Sequence, residues 1–115
     1  MKKKDIVIAG YSETKIEFKS GRSAYDLAGE ALSQLIERTG IRVEDIDGLS
    51  VTTALSEAPN PFFAVYMTEA LGITPTWADG TAVGGCSFML HVRHAAAAIN
   101  EGLCKTVLIT HGESG

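Results

Sequence analysis

The chain has 115 residues, a formal net charge of -4, 45% apolar residues and 21% charged residues. That length suits one ordinary domain and is too short for two, and a composition near the globular average without low-complexity tracts excludes extended disorder. Apart from Lys2-Lys3-Lys4 the basic residues are scattered, so there is no basic face for a phosphate backbone, and nucleic acid is not an expected partner.

Behind the lysines comes only the short run Ile6-Val7-Ile8-Ala9, too short for the core of a signal peptide. No apolar stretch reaches membrane-spanning length. The two cysteines, Cys86 and Cys104, lack metal-ligand spacing and do not suggest a disulfide framework, which leads us to expect a reduced, cytoplasmic compartment and no metal.

Residues 5 to 11 are continuous, apolar and partly β-branched and end near a glycine, the pattern of a strand buried on both faces. Residues 12 to 22 are polar, a loop or an exposed extension of that strand. Ser23 stands as an N-cap with Asp26 three residues on, and Tyr25, Leu27, Ala28, Ala31, Leu32, Leu35 and Ile36 recur at helical spacing until Gly40. This helix reads as a packing element without chemistry. Asp45-Ile46-Asp47-Gly48 is a turn, and Leu49-Ser50-Val51-Thr52-Thr53 is a second strand.

Ser56 to Pro61 has the composition of a loop, and Phe62 to Leu71 is a helix stopped by Gly72. Its aromatics fit a core, although Phe62 or Phe63 could wall a pocket beyond the sheet. Thr76-Trp77-Ala78-Asp79 forms a third short strand. It leads into Thr81-Ala82-Val83-Gly84-Gly85-Cys86-Ser87, a glycine turn opening a helix from about Ser87 to Asn100. Phe88, Val92, Ala95, Ala96 and Ile99 lie on one side of that helix, and its alanines allow close approach, so it is expected to be central and substantially buried. Thr106-Val107-Leu108-Ile109-Thr110 is a fourth strand, ending at His111-Gly112-Glu113. Strands alternating with helices predict an α/β fold, a parallel sheet with helices on both faces. Ligands of such sheets collect beyond the C-terminal strand edges, where Cys86 and His111 would both emerge.

Cys86 is the first candidate for chemistry. A free cysteine is commonly a small buried hydrophobe, but a strand-turn-helix junction also exposes nucleophiles, and the positive end of a helix stabilises a thiolate. His91 and His94, three apart on one helix without a third ligand nearby, read as surface or packing residues rather than metal ligands. His111 either acts on a bound substrate or fixes the Gly112-Glu113 turn. Cys104 reads as packing.

The order of elements and several stretches resemble the thiolase superfamily. The stretches are Asp45-Ile46-Asp47-Gly48-Leu49, Val83-Gly84-Gly85-Cys86-Ser87-Phe88, His94-Ala95-Ala96-Ala97-Ala98-Ile99 and Gly102-Leu103-Cys104. The resemblance runs over residues 1–115 as the N-terminal part of a thiolase-like domain, βαβαβαβ in order and incomplete in this chain. Within the superfamily it is nearest the sterol-carrier-protein-type, acetyl-CoA acetyltransferase-like branch. It implies an acyltransferase that makes or breaks a carbon–carbon bond of an acyl-CoA thioester through an acyl-enzyme on Cys86. Ser87, Phe88 and His111 would then bind substrate, with no cofactor beyond the coenzyme A thioester itself. It also implies a homodimer, a possible OB-fold, zinc-ribbon partner, and a general base from a part of the protein beyond this chain, which alone would be inactive. The family pattern is Cys-x-Ser-Gly, whereas this chain has Phe88 after Ser87. A non-catalytic thiolase-like subunit or lipid-binding module, and a carbon–carbon lyase using other residues, are the competing readings.

Overall fold

A computed structural model describes residues 5–17, 20–57 and 60–114. The lysine run 2–4, Lys19 and Pro59 lie outside the described residues. In chain order the elements are α1 (Ala24–Thr39), a 3-10 turn (Val43–Asp45), β1 (Gly48–Val51), α2 (Phe63–Leu71), β2 (Trp77–Asp79), α3 (Ser87–Asn100) and β3 (Val107–Thr110). The three strands form one parallel sheet in the order β2-β1-β3, with Leu49 opposite Ala78 on one side and Leu108 on the other.

The helices form where local chemistry allows them to start and stop. Ser23 accepts a hydrogen bond from the Asp26 N–H at 3.1 Å, and Gly40 closes α1 in the left-handed region, at φ 73°, a conformation that costs glycine little. Gly72 ends α2 in the same way. Consecutive strand residues face opposite sides of a sheet. Leu49, Val51 and Leu108 therefore share one side, where they join Ala28 and Leu32 of α1 and Phe63 and Met67 of α2 in a single buried cluster. Ser50 and its β2 neighbour Asp79 belong to the other side, against which α3 packs.

Asp47 ties the strand starts together. Its carboxylate accepts the backbone N–H of Lys105 and Thr106 at 2.8–3.0 Å, while its carbonyl accepts the N–H of Thr76 at 2.8 Å. Gly48, next to it, has no room for a side chain: a Cβ there would stand 2.8 Å from Val107 Cγ2 and 3.1 Å from Cys104 Sγ. Cys104 is buried at this junction, in keeping with a packing role.

The expected first strand does not form. Residues 5 to 11 pair with no strand, and Val7 and Ile8 are 80% and 82% exposed. A strand needs a neighbouring strand to pair its N–H and C=O groups, and among the described residues this run has none: it lies against α1, where Gly10 meets Thr39 and Leu35 and the Tyr11 carbonyl accepts from Arg38 Nη1 at 3.1 Å. It borders a broad cleft of about 1160 Å³, lined also by α1, one side of α3 and β3. The described elements are therefore αβαβαβ, not βαβαβαβ.

The buried face of α3 also differs from expectation. Ser87, His91, Ala95 and Ala98 are buried, whereas Phe88, Val92, Ala96 and Ile99 border the cleft. The helix is rotated so that His94 meets the carboxylate that ends β2 and His91 the carbonyl of Thr81 just beyond it, polar contacts that helical periodicity alone does not reveal.

Candidate active site

The turn from Gly80 to Cys86 carries the chain from β2 to α3. Gly84 has φ 84°, so the reversal needs a residue free of left-handed strain, and glycine meets that need. Ser87 clasps the turn from inside. Its hydroxyl donates to Gly84 O at 2.6 Å and accepts the Val83 N–H at 2.9 Å, and the residue has 0% exposure.

Cys86 occupies the N-cap position of α3 and is exposed, with Sγ 3.5 Å from Val83 O. Helix geometry leaves the first N–H groups of α3 without intrahelical acceptors. The Ser87 N–H is taken by Gly84 O at 3.0 Å. The thiol thus stands at the positive end of a 14-residue helix, on the solvent side of a tightly held turn.

Phe88 and His111 do come together. Their ring centroids lie 5.4 Å apart, edge to face, and Phe88 makes a second such contact with His91 at 5.5 Å. Both Phe88 and His111 line the broad cleft, while Cys86 and Ser87 are not among its lining residues. The cysteine turn and the Phe88–His111 pair therefore flank the N-terminal end of α3 from different sides. His111 Nε2 also approaches Glu113 Oε2 at 3.9 Å. Glu113 in turn accepts the N–H groups of Leu55 and Ser56, fixing the loop after β1.

The most connected polar group of the site is one the residue types alone did not single out. Asp79, the last residue of β2, accepts from His94 Nδ1 at 2.8 Å, from the Thr81 hydroxyl at 2.9 Å on each oxygen, and from the Ser50 hydroxyl at 3.4 Å. Burial pushes its pKa up. The hydrogen bonds from His94 and Thr81, with the charges of His94 and His91, outweigh that and hold it below its ordinary 3.8. His91 has 0% exposure and bonds Thr81 O through Nε2 at 2.9 Å, while its Nδ1 has no partner among the described residues. The sequence signal for this cluster is an acid ending a strand, followed across the crossover by histidines at i and i+3 of a helix. Among the described residues no group of histidine, cysteine and acid side chains has the arrangement to hold a metal.

No family model matches the chain. Among curated proteins it is similar to beta-ketoacyl-[acyl-carrier-protein] synthase III of Cereibacter sphaeroides, 30% identical over 94 residues, which are 82% of this chain and 29% of that protein. The enzyme of the same name from Phocaeicola vulgatus is 27% identical over 100 residues, 87% of this chain and 30% of that protein. Among solved structures, the Ltp2-ChsH2(DUF35) aldolase matches with TM-score 0.73 and 27% identity, over 88% of this chain and 25% of that one. Xanthomonas campestris OleA bound to cerulenin matches with TM-score 0.68 and 22% identity, over 79% of this chain and 28% of that one. The chain thus spans about 29% of the length of the first of these curated relatives. Its fold is that of part of a thiolase-like domain, and these similarities support its reading as a fragment of that superfamily.

Proposed function

We propose that this chain forms part of a thiolase-like enzyme that makes or cleaves a carbon–carbon bond beside an acyl thioester, with Cys86 as the acylated nucleophile. The observation that carries the reading is the position of Cys86: exposed, at the N-cap of α3, on a turn held by Ser87. The thiolate would attack the thioester carbonyl, a tetrahedral intermediate would collapse with loss of the coenzyme A thiolate, and the acyl group would then pass to a carbanion or back to coenzyme A. Free N–H groups of the first turn of α3 are suitable donors to the developing oxyanion. Ser87 would support the nucleophile by holding the turn, Phe88 and His111, across the N-terminal end of α3 from the thiol, would meet the acyl or pantetheine chain where it runs into the cleft, and the thioester would be the sole coenzyme required. The general base would come from elsewhere in the enzyme. The synthase III relatives support condensing chemistry in general.

A homodimer and a zinc-ribbon, OB-fold partner belong to the same proposal, and the Ltp2-ChsH2(DUF35) assembly supports a partner subunit in general. That neighbour, an aldolase, supports carbon–carbon cleavage, and a second reading assigns the cleavage to residues other than Cys86. Peptide-resolved mass spectrometry of the protein carrying this chain, incubated with acetyl-CoA, separates the two. We expect an acyl increment on the Cys86 peptide that Cys86→Ala removes and Cys104→Ala preserves. Turnover with no label on either cysteine would replace the first reading with the second.

A further inference from the structure

The turn that carries Cys86 is held at both ends, and the two holds are of different kinds. Ser87 grips its C-terminal half through Val83 and Gly84. The N-terminal half is gripped at Thr81, whose backbone carbonyl accepts from His91 Nε2 and whose hydroxyl donates to Asp79. Asp79 is itself fixed by His94 Nδ1, with the Thr81 oxygen 3.2 Å from the same nitrogen. His91 and His94 thus reach back from the helix that the turn begins and lock the strand end that the turn leaves.

We infer that Asp79, His91 and His94 are positioning residues, a polar clamp on Thr81 that sets the conformation of the Gly80–Cys86 turn and so the presentation of the Cys86 thiol. The geometry favours this over a metal or packing role. Each imidazole turns one nitrogen to the strand end and the turn, His91 Nε2 to Thr81 O and His94 Nδ1 to Asp79 with the Thr81 hydroxyl beside it, and His91 is fully buried although its other nitrogen gains no partner among the described residues. Leaving a buried nitrogen unpaired costs free energy, so apolar packing alone is a poor use of the position. The groups acting on Asp79 are His94 and His91 from α3, Ser50 from β1 and Thr81 from the turn. This clamp needs no substrate and is independent of whether Cys86 is acylated.

The test combines amide hydrogen exchange with alkylation of Cys86 by iodoacetamide, resolved by peptide, on the full chain. His91→Leu and His94→Leu should each speed exchange at Val83 and Ser87 about tenfold, the size expected when a well-placed hydrogen bond is lost locally, and should change the alkylation rate. Leu49, in the central strand, should keep its protection. His91→Gln places an amide nitrogen near Nε2, and His94→Asn places one near Nδ1, so these variants should restore the turn. Thr81→Val cuts the hydroxyl link with both histidines in place and serves where a leucine variant fails to fold. Turn exchange and alkylation at parental rates in the folded variants would overturn the inference. Acceleration at Leu49 equal to that of the turn, which marks global destabilisation, would also overturn it.

Discussion

The Asp79 and Glu113 carboxyls sit under opposing influences, and in both the hydrogen bonds win. Burial raises the pKa of each. His94 and Thr81 pull Asp79 below its ordinary 3.8, and the Ser56 and Leu55 contacts pull Glu113 below its ordinary 4.5. A carboxyl depressed in the folded state contributes stability that is fully present above its unfolded pKa and is lost as pH falls through the folded value. The chain should therefore lose thermal stability on acidification from pH 5 to pH 3, and Asp79→Asn with Glu113→Gln should flatten that dependence in differential scanning calorimetry. An equally steep profile in the double variant would show that other carboxyls carry it. Gly112 makes a second point at this scale. A Cβ there would overlap the Ala24 carbonyl at the start of α1, so Gly112→Ala must push β3's end and α1 apart. Its melting temperature should fall by several degrees, the shift expected for a loss of about 1–2 kcal/mol in a domain of this size.

At the scale of elements, the staples between them matter as much as the elements themselves. Asp47 satisfies two backbone donors at the start of β3, and Asp47→Ala leaves both without it. We expect a loss of about 2 kcal/mol in urea denaturation, partly recovered by Asp47→Asn, whose oxygen still accepts. Much of this level is legible in the sequence because its causes are local. Ser23 and Gly40 bracket α1, Gly72 ends α2, and α3 has the bounds, Ser87 to Asn100, that its spacing implies. The run 5 to 11 is misleading because being a strand is not a local property: its apolar character is real, but the pairing edge must come from elsewhere. The Asp79–His94 pair was hidden for a related reason. Each residue is ordinary in its own segment, and only the β2-to-α3 crossover brings them to 2.8 Å. The cysteine turn could be placed from its glycines and the helix that follows, but the orientation of α3, which sends Phe88 to one side and Cys86 to another, is set by that same pair.

For the molecule as a whole, three parallel strands leave two outer edges, on β2 and β3, that pair with no strand among the described residues. Exposed backbone edges recruit other chains. Large apolar side chains also stand in water: Val7, Ile8 and Ile16, which line the cleft together with β3, and, apart from the cleft, Met89 on α3, 78% exposed. Exposed apolar surface of this kind favours association. The isolated 115-residue chain should accordingly self-associate in a concentration-dependent way in sedimentation velocity. The source of that association can be separated from the core, because Val7 and Ile8 lie outside the buried cluster. Val7→Lys with Ile8→Lys should shift the distribution toward monomer while leaving the unfolding midpoint close to the parent's, since charge on an unpaired segment opposes pairing without removing a packed contact. A parent chain that sediments as a single species at all concentrations and unfolds in one cooperative step would mean that these edges and this cleft are covered within the chain itself.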